Sequence, residues 1–133
     1  MCSFVLCISK KKIASNLIKE ANKFIKSRGP SKTNIFSKNI NSLYIQAIHN
    51  LLDISGESII QPIINNDKHL LLFNGEIYNP KVGNLPDTLL LMDNLSNNTI
   101  ESFLLNCRGE FAICTYDIKN KKIQIFRDLI GTK

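Results

Sequence analysis

Residues 3–9 read Ser-Phe-Val-Leu-Cys-Ile-Ser, an apolar run closed by serines, and predict a strand. Over residues 11–28 the period changes. Apolar residues recur at 13, 17, 18, 21, 24 and 25 with Lys and Glu on the other side, which predicts an amphipathic helix ended by Gly29-Pro30. Ile35-Phe36 and residues 43–48 are strand candidates, the second with a loose period of two, and His49 follows. Residues 53–61 form a polar loop with Ser55-Gly56-Glu57-Ser58 inside it, before Gln61-Pro62. The continuous apolar run at 70–73 predicts a buried strand, stopped by a turn at Asn74-Gly75. A loop over 80–86 leads to a helix over 87–95, with Asp87 as its cap or in its first turn. A further helix reaches about residue 106, with Asn98 as cap and Glu101 three residues on. Strands at 110–116 and 122–126 are joined by a hairpin through 117–121. Runs of strands beside helices in one domain predict an α+β class.

The chain has 133 residues, 44% of them apolar, which fits one globular domain with its own core. No apolar run is long enough for a bilayer, and no basic-then-apolar leader opens the chain. A cytoplasmic location without a membrane partner is the expectation. The net charge of +6 sits mostly on lysines at 10–12, 19, 23, 26, 119, 121 and 122. The few aromatics do not interleave with these runs, so stacking on nucleic acid is not expected and the lysines read as solvated surface. Cys2, Cys7, Cys107 and Cys114 show no zinc-knuckle spacing, and no metal site or disulfide is expected. Cys7 and Cys114 lie in strand patterns and read as core thiols.

Chemistry enters at two places. A chain beginning Met1-Cys2 can lose its initiator, which leaves Cys2 with a free α-amine. That amine can take the thiol proton directly or through one water, an N-terminal-nucleophile arrangement that needs no histidine. At the end of the central strand, the Asn74 amide, the Gly75 backbone N–H and the Glu76 carboxylate come together in sequence. An amide and a bare N–H are suited to a developing oxyanion. A plain hairpin turn and an incidental second residue are the alternatives, since Asn-Gly is itself a strong hairpin signal.

The order of motifs favours chemistry. Met1-Cys2, Arg28-Gly29-Pro30, His49, Gln61-Pro62, Phe73-Asn-Gly-Glu-Ile-Tyr-Asn79, Asp87-Thr88, Gly109-Glu-Phe-Ala112 with Tyr116-Asp117, and Arg127-Asp128-x-x-Gly131-x-Lys133 follow one another along the whole chain. This resembles the glutaminase domain of a class II glutamine amidotransferase of the asparagine synthetase type. The resemblance implies an Ntn-hydrolase fold, two antiparallel sheets between helical layers. It implies glutamine as substrate, Cys2 as nucleophile, and Asn74 with Gly75 as oxyanion donors. Glu76 and Asp87 would hold the substrate ammonium, the backbone of Ile54 and Ser55 would line the pocket, and His49 would be structural. No cofactor belongs to this domain. ATP and Mg would belong to a separate synthetase domain, supplied by another chain where the gene is split or by the rest of a longer chain where this sequence is a fragment. Further strands follow the last motif in that family, so this domain, residues 2–133, is expected to be incomplete at its C-terminus.

Two positions depart from the family. Its His-x-Arg-Leu reads His49-Asn50-Leu51-Leu52 here, so the arginine that grips the substrate α-carboxylate is Leu51. A branch of asparagine-synthetase-domain-containing proteins similarly lacks that arginine. The family's Arg-Gly-Pro-Asp reads Arg28-Gly29-Pro30-Ser31. The competing expectation is therefore a weak or inactive glutaminase-like domain with a regulatory or assembly role.

Overall fold

The computed structural model describes residues 2–53, 59–80 and 83–133. Among them the elements run β1 (Ser3–Ser9), α1 (Ser15–Lys23), a single 3-10 turn (Lys26–Arg28), β2 (Lys32–Ile40), β3 (Leu43–Leu51), β4 (Ile63–Asn65), β5 (His69–Asn79), α2 (Asp87–Ser96), α3 (Ile100–Leu105), β6 (Arg108–Asp117) and β7 (Lys122–Arg127). They form two antiparallel sheets with three helices, an α+β arrangement, divided between two compact units.

The first unit, Met1–Ser55 with Ile60–Pro62, holds the sheet β1-β3-β2. Its central strand explains why the sequence alternation over 43–48 is loose. Gln46, Ile48 and Asn50 share one pleat face and Ile45, Ala47 and His49 the other, and all six are buried. The first face lies against α1 and the segment before it. The Gln46 side chain accepts from Ile13 N–H at 2.8 Å and donates to Ile13 C=O at 3.0 Å. Ile13 therefore precedes the helix, and α1 is shorter than its apolar pattern predicts. Ile18 and Asn22 are its buried stripe. Gly29 has a packing reason: a side-chain carbon there would run into the Asn50 carbonyl.

The second unit, Gly56–Ile59 with Ile63–Lys133, holds the sheet β4-β5-β6-β7. Leu71, Phe73 and Ile77 of β5 and Phe111 and Ile113 of β6 pack with Leu91, Met92 and Leu95 of α2 and Ile100 of α3. Asn74-Gly75 is not a turn. The strand continues to Asn79 because β6 pairs with it, in steady register through Ile77 and with a shift between Ile77 and Asn79; Asn74 lies opposite Ala112, Gly75 opposite Phe111 and Glu76 opposite Glu110. Asn98 does not cap α3 either. It stands at φ 58° after the last turn of α2, and Leu95 C=O accepts its N–H. An asparagine tolerates that left-handed geometry, so Asn98 ends one helix rather than starting the next. Thr99 precedes α3 instead, its hydroxyl turned back to Asn94. Among the described residues no helix is long and apolar enough to cross a membrane.

Candidate functional site

Cys2 stands immediately before β1, half-buried. Its Sγ accepts the backbone N–H of Leu52 at 3.5 Å, just past the end of β3. The β1–β3 register causes this, since Ser3 pairs with Asn50 and the residues beyond them are brought alongside. The segment 51–53 is itself fixed. Ser31 donates its N–H to Leu51 C=O at 3.0 Å, and its hydroxyl accepts Asp53 N–H at 3.1 Å. Arg28-Gly29-Pro30-Ser31 thus acts as a brace for the end of β3, next to the thiol. Leu51 occupies the last position of β3, half-buried, on the same pleat face as His49. His49 is buried in the strand itself, one turn of the pleat before Leu51. Ile54 and Ser55 lie outside the described residues.

Within the second unit, Asn74, Gly75 and Glu76 are consecutive in the middle of β5. The Asn74 side chain is 7% exposed and its Oδ1 has no hydrogen-bond partner. A buried amide with unused capacity costs free energy unless something else completes it. Glu76 lies on the same pleat face and is exposed. Gly75 has φ 147°, and a side-chain carbon there would strike the Glu110 carbonyl.

The backbone of Gly75 is placed by its neighbours. Phe111 directs its N–H to Asp128 Oδ2 at 3.1 Å and accepts Asp128 N–H at 3.0 Å, both on the side of β6 away from β5. In an antiparallel ladder the alternate residues then face the other way, so the odd positions of β5 present their backbone groups away from β6. Ile77 obeys this, its N–H donated to Asp87 Oδ2 at 2.8 Å. Gly75 presents its N–H to the same edge, beyond Leu71, where the pairing with β4 ends. Asp87 is the first residue of α2 after Pro86. Its carboxylate ties the helix start to β5, so of the two expected roles it takes the first-turn position.

The last motif builds a turn that sequence spacing did not explain. Buried Asp128 accepts N–H groups from Phe111, Ile130 and Thr132 and the Thr132 hydroxyl. Those donors, led by Thr132 N–H, hold its carboxyl well below the usual range. Gly131 closes the turn at φ 72°. Lys133 pairs with Glu110 at 2.6 Å, which lowers the Glu110 carboxyl. Burial raises the Cys107 thiol to about 11, with Asp87 adding to the effect, and burial also raises Cys114. Cys114 is a core thiol as expected, while Cys7 is half-buried.

A cavity of about 310 Å³ opens elsewhere in the second unit, bordered by His69, Glu101, Thr115, Asp117, Lys122 and Gln124 among others. None of the catalytic or substrate-binding residues expected from the sequence lines it. No group of three or more His, Cys, Asp or Glu side chains suited to a metal ion occurs among the described residues.

The profile of a glutamine amidotransferase domain family matches residues 1–133, the whole chain. The chain belongs to this glutamine amidotransferase family. An asparagine synthetase domain-containing protein of Saccharomyces cerevisiae is 24% identical over 124 residues, which are 90% of this chain and 23% of that protein. The glutamine amidotransferase chain therefore spans about a quarter of the length of this curated relative. The sequence missed Leu52, whose contribution is a backbone N–H and leaves no mark in side-chain chemistry. It also assigned no role to Asn50, Ser31 or Asp128, although the last two lie inside named motifs.

Proposed function

We propose that this glutamine amidotransferase domain hydrolyses glutamine to glutamate and ammonia, with Cys2 as nucleophile. The thiol proton passes to the α-amine of the same residue, and the sulfur adds to the side-chain amide carbon. The oxyanion is received by the Asn74 amide and Gly75 N–H, a pair of donors in which each is worth about 3 kcal/mol in comparable sites. The ammonium returns its proton to the leaving nitrogen as the C–N bond breaks. Water then cleaves the thioester, which releases glutamate and restores the thiol. Glu76 and Asp87 supply the negative charge for the substrate ammonium.

The observation that carries this reading is Asn74, a buried amide in mid-strand with an unpartnered oxygen, followed by Gly75, whose place in the β5–β6 register turns its N–H away from β6. The unpartnered Asn74 oxygen can accept from the NH₂ group of the glutamine amide, while the donor to the oxyanion would be the Asn74 Nδ2 group. The ammonia would serve an ATP-dependent synthetase domain, in the manner suggested by the name of the yeast relative, supplied by the same or another polypeptide. We place the protein in the cytoplasm.

Intact-mass measurement and a glutaminase assay test the reading together. The expected result is a mature chain that starts at unmodified Cys2 and releases glutamate, with Cys2→Ala inactive and Asn74→Ala lowered in kcat far more than raised in KM. A retained Met1 or a blocked amine would remove the proposed base. A second reading, a domain kept for assembly or regulation, is favoured by one observation, the leucine at position 51 in place of the family's arginine.

A further inference from the structure

Asn50 is completely buried, at 0% exposure, one residue before the end of β3. A buried primary amide must place two donors and an acceptor, and here all three are used. Its Nδ2 donates to Ser3 Oγ at 3.1 Å and to Asn22 Oδ1 at 2.7 Å, and its Oδ1 accepts the Thr33 hydroxyl at 2.8 Å. Ser3 passes the chain on, its hydroxyl donating to Ile25 C=O at 2.8 Å. One side chain therefore joins the first residue of β1, helix α1, the segment after it and strand β2. Ser3 is the residue after Cys2, and Leu52, whose N–H meets Cys2 Sγ, is two residues after Asn50.

We infer that Asn50 is a positioning residue for Cys2, acting through Ser3. An N-terminal nucleophile has no preceding chain to hold it, so its placement depends on what fixes the next residue. The β1–β3 ladder sets the height of Ser3 but leaves the strand end free to fray, as chain termini do. The network removes that freedom by engaging the Ser3 side chain as both donor and acceptor in a buried setting, where hydrogen bonds are cooperative and costly to break singly. With Ser3 held, Cys2 stays within reach of Leu52 N–H, and its sulfur and amine keep one arrangement.

The inference rests on Cys2 being the nucleophile, and its test is separable from that reading. Valine and threonine have the same shape, so Ser3→Val and Ser3→Thr differ only in the hydroxyl. Amide hydrogen exchange at Leu52 reads the contact directly, whether or not the protein turns over glutamine. The expected result is exchange at Leu52 faster by about tenfold in Ser3→Val and near the parental rate in Ser3→Thr, with Ile45 and Ala47 unchanged. Asn50→Leu should match Ser3→Val if it folds, and the Ser3 pair decides if it does not. Equal Leu52 exchange in parent, Ser3→Val and Ser3→Thr would overturn the inference. In glutaminase assays the same pair should divide in kcat by about tenfold, with KM nearly constant, because nucleophile placement acts on the reaction step. Absence of glutamine hydrolysis in the parent would count against the proposed function while the exchange result stands by itself.

Discussion

Gly75 carries two constraints at once. Its φ of 147° is a conformation L side chains rarely adopt, and the space its side chain would fill is taken by the Glu110 carbonyl. Gly83 offers a comparison, with φ 56° and open space around it. Gly75→Ala is expected to cost about 2 kcal/mol or more in urea unfolding, from strain plus collision, and Gly83→Ala about 1 kcal/mol from strain alone. Equal costs would mean that β5 can move away from β6 at little expense. The identity of these residues was legible in the sequence, since Asn74, Gly75 and Glu76 stand out as a polar group after an apolar run. Their conformation was not. Asn-Gly favours a turn locally, and only the partner strand β6, more than thirty residues on, holds the pair extended.

At the level of elements, the three-strand ladder β5-β6-β7 depends on the turn that follows it. Asp128 accepts from Phe111 in β6 and from Ile130 and Thr132 beyond β7, so one carboxylate joins the sheet to the last residues. Its carboxyl is held below the ordinary range, chiefly by Thr132 N–H, so the folded protein binds this proton less readily than the unfolded chain. The stabilisation is complete above the unfolded value of about 3.9 and is lost as pH falls through the lower folded value. Asp128→Asn should therefore lower Tm most at neutral pH, and the gap from the parent should narrow as pH falls below about 4. A gap constant from pH 7 to pH 2 would show that geometry rather than charge holds the turn. Strand periodicity located β1, β6 and β7 well because their patterns are local. Helix α1 was overestimated because Ile13 looks like a helix face residue, while Gln46 actually takes its backbone. The short β4 has three residues and too little pattern to read.

For the molecule as a whole, recognition of glutamine requires a partner for each of its charges. The proposed ammonium partners, Glu76 and Asp87, are anionic, and Leu51 stands where the resemblance implies an arginine for the α-carboxylate. The net charge of +6 does not compensate, because lysines solvated on helix and turn surfaces act through water and salt over a distance of about 10 Å rather than as a bidentate clamp. A carboxylate that enters a dry site without a donor loses its hydration and gains nothing in return. Leu51 shares a pleat face with His49 and directly precedes Leu52, the residue whose N–H meets Cys2 Sγ, so an arginine at 51 would rise at the Cys2 end of the first unit. Weak glutamine binding by the parent protein is the expected result of isothermal titration. Leu51→Arg should improve affinity or turnover by about tenfold or more, since a charge-assisted hydrogen bond contributes about 1.5–3 kcal/mol. Because position 51 is half-buried rather than sealed, the longer side chain can extend without displacing the core. Tight binding by the parent, with no gain or a loss in Leu51→Arg, would mean that another group holds the carboxylate, and would strengthen the case for glutamine hydrolysis over a purely structural role.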